Sequence, residues 1–132
     1  QAMDFIMDKP NGFQEKIVEG AGNLSGGQKQ RLSITRALVR KPDIYIYDDS
    51  FSALDMKTDA LLRQALKSEV KNAVVIIVAQ RVSTIMDAEQ ILVLDEGRLA
   101  AVGRHKELLK ECPLYYEIAA SQLSEEELQN VR

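Results

Sequence analysis

The sequence has few of the residues that build metal or disulfide sites. Its 132 residues include one cysteine, Cys112, and one histidine, His105. A lone cysteine excludes a disulfide within the chain and fits a reducing compartment. Neither residue has a partner at metal-site spacing, so we expect no zinc site. We expect Cys112 to be a small buried residue and His105 to face solvent at the start of a helix.

Long apolar runs and aromatic residues are also scarce. The longest apolar run, residues 73–79, is far shorter than the roughly 20 residues of a membrane-spanning helix. Aromatic residues make up 5% of the chain, so the stacking platforms of single-stranded nucleic-acid binders are missing. The net charge is −3, and only residues 29–41 are locally basic, as a solvated helix face would be. We therefore expect no nucleic-acid partner.

The first residue, Gln1, is not an initiator methionine, and no charged-then-apolar leader follows it. We expect the sequence to be part of a longer protein. The chain has 132 residues, of which 45% are hydrophobic, and this is enough to form one modest globular unit.

Apolar patterning in the first part of the chain predicts helices around two buried strands. Residues 2–8 have helical spacing, and Ser25 is the expected N-cap of a helix that ends before Pro42. Residues 44–47 and 73–78 are rich in β-branched and aromatic side chains, which is typical of buried strands. The residues expected to share an apolar face are Leu32, Thr35, Leu38 and Val39 in the first long helix and Leu61, Leu62, Ala65 and Leu66 in a helix over 57–70.

The rest of the chain predicts a short helix over 82–86, a hairpin of strands 90–94 and 98–102, and helices from Lys106 interrupted by Pro113. Strand, helix and strand in this order predict an α/β fold with a mainly parallel sheet and flanking helices. Asp48, Asp49 and Gln80 follow the two buried strands, and we expect them to converge on one ligand, because ligands bind at the carboxyl ends of parallel strands.

Ser25-Gly26-Gly27 at a helix start exposes backbone N–H groups at the positive end of the helix dipole, which suits an anion. Taken alone, these residues are more simply a flexible N-cap. The longer string Leu24-Ser25-Gly26-Gly27-Gln28-Lys29-Gln30-Arg31 resembles the signature motif of ATP-binding-cassette (ABC) ATPases.

Other segments resemble the same family in the same order. Residues 44–48 are similar to the Walker B strand, 52–55 to the D-loop and 79–83 to the switch loop. Glu19 and Asn23 resemble the exporter loop that touches the coupling helices of the membrane domain, and residues 103–108 with Tyr116 and Gln122 match the exporter C-terminal pattern. The resemblance implies part of a P-loop NTPase-like fold, with 1–41 in the helical signature subdomain, 42–122 in the ATPase core and 123–132 as an acidic tail.

The resemblance also implies the cofactors ATP and Mg²⁺ and a role for each motif. Asp48 would hold Mg²⁺, through water because that ion keeps much of its hydration shell, and Asp49 and Gln80 would be the catalytic positions. The signature residues Leu24, Ser25, Gly26, Gly27 and Gln28 would bind the ATP of a second nucleotide-binding domain. The D-loop residues Ser52, Ala53, Leu54 and Asp55 would lie at the interface with it. The membrane domain, contacted through Glu19, would hold the protein at the cytoplasmic face of the cell membrane.

Two positions depart from the family pattern. Asp49 stands where a glutamate usually polarises the attacking water, and the lost methylene retracts the carboxylate by about 1.5 Å. Misplacement by ~1 Å can cost ~100-fold in rate. Gln80 stands where histidine is usual, and an amide carries no positive charge. With an intact signature, this combination resembles the degenerate-site subunit of a heterodimeric exporter.

The sequence contains no Gly-x-x-x-x-Gly-Lys-Ser/Thr loop, so we expect the chain alone to be inactive and to bind ATP weakly or not at all. Two alternatives remain open. One is a regulatory nucleotide-binding subunit without hydrolysis. The other is a DNA-repair ABC ATPase, although the coiled coils or zinc modules of that class are missing. The transported substrate, whether peptide, lipid, drug or metal conjugate, leaves no trace in these residues.

Overall fold

The computed structural model describes residues 1–129. The end of the predicted acidic tail, 130–132, lies outside the described residues. The chain divides into two compact units, Gln1–Val78 and Ala79–Arg132. The division into 1–41 and 42–122 stays a prediction. No helix among the described residues is long and apolar enough to cross a membrane.

The first unit combines a pair of parallel strands with helices. The helices are α1 (Met3–Met7), α2 (Gly26–Val39) and α3 (Met56–Glu69), and the strands are β1 (Ile44–Asp48) and β2 (Val74–Val78). Short 3-10 turns cover Gly12–Gln14 and Glu19–Ala21. The strands pair in parallel register from Ile44 opposite Val74 to Asp48 opposite Val78, with α3 as the connection. The predicted strand-helix-strand order is confirmed.

The core of this unit lies between one face of the strand pair and helices α2 and α3. Tyr45 and Tyr47 are two positions apart in β1 and point to the same side, where their ring centroids stack 6.0 Å apart. The Phe51 ring packs edge-on against Tyr47, with 5.5 Å between the ring centroids. The buried cluster consists of Ile34, Tyr45, Tyr47, Phe51, Leu54, Leu62 and Leu66.

The prediction that both strands are buried is wrong for one face of the pair. Ile44 and Ile46 are 56% and 67% exposed, and most of β2 is exposed as well. Successive strand residues point to opposite faces, and in this unit α2 and α3 pack on one face only. Four residues expected on the apolar helix faces are also exposed, namely Thr35, Val39, Leu61 and Ala65, because the 100° helical step carries them past the contact.

The second unit combines a hairpin with short helices. The helices are α4 (Val82–Ile85), α5 (His105–Glu111), α6 (Pro113–Ala120) and α7 (Glu125–Gln129), and the strands are β3 (Ile91–Asp95) and β4 (Arg98–Gly103). The strands are antiparallel and are joined by a turn in which Glu96 and Gly97 have positive φ. The predicted hairpin is confirmed, as is the break at Pro113, which opens α6.

The single cysteine and the single histidine of the chain are both buried in the second unit. Cys112 is buried, as expected, with Val82, Ile91, Val93, Leu108, Tyr115 and Ala119. His105 does open α5, but it is only 5% exposed. The prediction that it faces solvent is wrong, because its ring packs edge-on against Tyr115 of the following helix.

Candidate functional site

The predicted N-cap at Ser25 is confirmed and forms a full capping box. The Gln28 backbone N–H donates to Ser25 Oγ (3.2 Å), and the Ser25 backbone N–H donates to Gln28 Oε1 (3.0 Å). The first-turn N–H groups of a helix lack intrahelical acceptors, and the helix dipole makes this end positive. The described first turn of α2 carries no acidic residue. This end of α2 is therefore suited to an anion.

The two glycines after Ser25 lie against the turn that precedes α3. A β-carbon on Gly27 would sit 3.1 Å from the backbone oxygen of Ala53 and 3.3 Å from Leu54 Cδ2. One on Gly26 would sit 3.4 Å from Ala53 Cβ. The absence of a side chain at 27 therefore lets the signature segment and the D-loop segment pack together, whereas a β-carbon at 26 would make an ordinary contact.

A cavity of about 360 Å³ opens between these two segments. Its lining consists of Ser25, Gly26, Gly27 and Arg31 from the signature side and Ala53, Leu54, Asp55 and Thr58 from the D-loop side. Asp55 is the N-cap of α3, where its Oδ1 accepts from the Thr58 backbone N–H at 2.9 Å. Hydrogen bonds from the Thr58 side chain and backbone lower the pKa of the Asp55 carboxyl. The cavity thus contains two helix N-termini, a guanidinium and an ionised carboxylate.

Gln30 binds the D-loop segment, a role that was not predicted from the sequence. Its Nε2 donates to the Asp49 backbone oxygen (3.2 Å) and to Ser52 Oγ (3.1 Å), and its Oε1 accepts from the Ala53 backbone N–H (3.0 Å). The helical period offered a signal, because a residue four positions after Gly26 and three after Gly27 lies on the same face of α2.

Asp48 and Asp49 lie at the carboxyl end of β1, as predicted. Asp48 is the last strand residue, and Asp49 follows it with a positive φ of 47° while its N–H donates to the Val78 oxygen at 2.9 Å. Both side chains are exposed. No cluster of three or more potential metal ligands occurs among the described residues. Mg²⁺ needs only one or two carboxylates besides water and phosphate oxygens, so an exposed Asp48 fits it.

Gln80 belongs to the second unit, where Gln122 holds its backbone. Gln122 Nε2 donates to the Gln80 backbone oxygen (2.9 Å), and Gln122 Oε1 accepts from the Val82 N–H (2.9 Å). The side chain of Gln80 is exposed. Its convergence with Asp48 and Asp49 on one ligand stays a prediction.

Asn23 closes the loop that carries Glu19. Its Oδ1 accepts from the Val18 N–H (3.3 Å), and its Nδ2 donates to the Lys16 backbone oxygen (2.9 Å). Lys29 from α2 donates to the Gly20 oxygen at 3.1 Å. Glu19 itself is exposed at the start of the 3-10 turn. The loop is held to the start of α2 while its tip remains open for contact.

Comparisons with known proteins agree with this geometry. Residues 3–52 match the family model described as ABC transporter. The chain is 46% identical over 112 residues to an uncharacterised ABC transporter ATP-binding protein of Mycobacterium tuberculosis, covering 85% of this chain and 19% of that protein. It is 44% identical over 124 residues to an ATP-dependent lipid A-core flippase of Chromobacterium violaceum, covering 94% of this chain and 21% of that protein.

One solved structure, of a bacterial Atm1-family ABC exporter with ATP bound, superposes with a TM-score of 0.87 at 42% identity. The match covers 92% of this chain and 22% of that chain. The fold is therefore the mixed α/β fold of an ABC ATPase. The chain is a fragment of an ABC transporter ATP-binding domain with exporter homologues, and it spans about a fifth of the length of the relatives described here.

Proposed function

We propose that the chain is part of the nucleotide-binding domain of an ABC exporter, which couples ATP binding and hydrolysis to transmembrane transport. In this proposal Leu24 to Gln28 bind the ATP held by a second nucleotide-binding domain. The loop around Glu19 contacts the coupling helices of a membrane domain, which places the chain at the cytoplasmic face of the membrane. The exporter relatives support this assignment.

The capped N-terminus of α2 is the observation that carries the proposal. Ser25 and the following amides form an anion-binding helix end beside an open cavity. The terminal phosphate of ATP is an anion that the N-terminus of α2 is suited to bind. The Gln28 side chain accepts from the Ser25 N–H, so the cap is already ordered before ligand binds.

We further propose that the subunit's own ATP site hydrolyses weakly. The side chain of Asp49 is one methylene shorter than that of the usual glutamate. Hydrogen bonds to the Val78 oxygen and from Gln30 hold the Asp49 backbone, so the backbone cannot shift freely toward the nucleotide to make up the lost length. Gln80 can donate a hydrogen bond to phosphate but brings no positive charge. In this site Asp48 would hold Mg²⁺, which neutralises charge on the phosphates when bound.

The test uses the full-length protein together with its partner subunit in membranes. Asp49→Ala should leave most steady-state ATP hydrolysis intact, because turnover occurs mainly at the partner's site. Ser25→Arg should reduce turnover at least ~10-fold, because it removes the cap and fills the anion site. Ser33→Arg, which adds the same charge to an exposed position of α2, should have no effect.

Loss of all hydrolysis in Asp49→Ala would refute the degenerate site. Unchanged hydrolysis in Ser25→Arg would refute the role of the signature. Absence of hydrolysis in the unmodified pair, with ATP still bound, would instead favour a regulatory subunit. The chain alone, which lacks a phosphate-binding loop in its sequence, should be inactive, and micromolar ATP binding in isothermal titration would contradict this.

A further inference from the structure

The side chain of Gln30 connects the signature helix to both the D-loop and the residue after the Walker B strand. Three hydrogen bonds of 3.0 to 3.2 Å join it to the Asp49 oxygen, Ser52 Oγ and the Ala53 N–H. All of these groups lie in the first compact unit. Gln30 is the fifth residue of α2, little more than one turn from the Ser25 cap.

The donors and acceptors in this arrangement match one another. The Ser52 hydroxyl donates its single hydrogen to the Asp49 oxygen at 2.9 Å, so its lone pair is available to accept from Gln30 Nε2. The Ala53 N–H can only donate, and therefore the Gln30 oxygen must face it. Both amide hydrogens and the amide oxygen of Gln30 are thus used, and the amide orientation is determined.

The Asp49 carbonyl oxygen is the acceptor of three hydrogen bonds. It accepts from Gln30 Nε2, from Ser52 Oγ and from the Ser52 backbone N–H at 3.3 Å. Asp49 has a left-handed backbone conformation, which is costly for a non-glycine residue and persists where the surroundings hold it. Gln30 is a side chain from another element that helps to hold this conformation.

We propose that Gln30 is a positioning residue. When ATP binds at the signature, Gln30 passes the resulting displacement of α2 to the D-loop and to Asp49 within the same subunit. A helix of 14 residues such as α2 moves as a stiff element, so an anion that pulls on its N-terminus also moves Gln30. The three hydrogen bonds then carry that displacement to residues 49–53. This inference rests on the proposed function, because it assumes that ATP binds at Ser25.

Two substitutions separate the parts of this connection. Gln30→Met keeps the length of the side chain and removes all three hydrogen bonds. Gln30→Glu keeps an acceptor for the Ala53 N–H but can no longer donate to the Asp49 oxygen or Ser52 Oγ. Gln64→Met is the matched control, since Gln64 is exposed on α3.

The test is hydrogen–deuterium exchange on the full-length protein with its partner, with and without a non-hydrolysable ATP analogue. In the unmodified protein the analogue should slow exchange in both the signature peptide (24–30) and the D-loop peptide (49–54), by roughly fivefold or more in the latter. In Gln30→Met the signature should still be protected, while the D-loop protection is lost. Turnover should fall about 10-fold or more with KM within about threefold.

Gln30→Glu should retain protection at Ala53 and still show the loss in turnover, and it serves as the second variant if Gln30→Met folds poorly. Gln64→Met should behave as the unmodified protein. Full D-loop protection in Gln30→Met, or a D-loop unaffected by the analogue in the unmodified protein while the signature responds, would overturn the inference. A signature peptide that does not respond in the unmodified protein would instead overturn the proposed function.

Discussion

Gly27 lies so close to the D-loop that a β-carbon at this position would be 3.1 Å from the backbone oxygen of Ala53. The same β-carbon would lie 3.3 Å from Leu54 Cδ2 in the buried cluster. Ala53 cannot withdraw easily, because its N–H is bound to Gln30 at 3.0 Å. The close approach of the two segments therefore depends on a residue without a side chain at position 27.

We predict that Gly27→Ala destabilises the protein although alanine is the better helix former by ~1 kcal/mol. Overpacking typically costs about 1–3 kcal/mol, so we expect a net loss near ~1 kcal/mol. Gly26→Ala is the matched control, since its β-carbon would meet Ala53 Cβ at an ordinary 3.4 Å. Urea unfolding of both variants is the measurement, and equal stability of the two would contradict the prediction.

Asp55 is expected to make stability depend on pH. Its folded-state pKa is lowered, with the Thr58 hydrogen bonds as the main cause. A lowered pKa contributes stability that is present above the unfolded-state value, 3.8, and is lost as the pH falls through the folded-state value. Asp55→Ala should therefore lower the melting temperature at neutral pH, and the difference from the unmodified protein should shrink below pH 3.8.

Asp55→Asn separates the cap from its charge. Asparagine is as good an N-cap as aspartate but does not titrate. This variant should keep most of the melting temperature at neutral pH and lose the part of the acid dependence that Asp55 contributes. An acid profile identical to that of the unmodified protein would show that Asp55 does not carry the effect.

The buried pair of His105 and Tyr115 is expected to contribute to the stability of the second unit. His105 Nδ1 lies 2.7 Å from Tyr115 Oη, and burial lowers the pKa of His105 and raises that of Tyr115 to about 12. Tyr115→Phe leaves a buried ring nitrogen without this partner, which costs ~1–3 kcal/mol. Tyr116→Phe, at a 48% exposed position, should be nearly neutral, and equal urea midpoints for the two variants would contradict the prediction.

Local motifs were predictable from the sequence because neighbouring residues determine them. The Ser25 cap needs only Gln28 three residues later, and the start of α6 needs only Pro113. The burial of His105 depends on Tyr115, ten residues away in another helix. Periodicity describes one helix at a time, and it could not reveal this contact.

The strands and the site show the same limit. The apolar run of β2 predicted a buried strand, yet Val74 and Val78 remain 58% and 53% exposed, because a strand's composition does not state which faces neighbouring elements cover. Asp48 and Asp49 were placed correctly at a strand end, since the end of an apolar run is visible in the sequence. Gln30 was missed because its partners lie 19 to 23 residues away.

The amide of Gln122 is expected to determine the local stability around Gln80. It accepts from the N–H of Val82, a buried residue in the first turn of α4, and donates to the Gln80 oxygen. Gln122→Leu keeps the bulk of the side chain but leaves both backbone groups without this partner. We expect a loss of about 0.5–1.5 kcal/mol in unfolding free energy, since water can reach these groups, and faster amide exchange at Val82. Gln90→Leu, at an exposed position outside any helix or strand, is the control and should leave both measurements unchanged. Exchange at Val82 that is equally slow in both variants would show that Gln122 does not hold this segment.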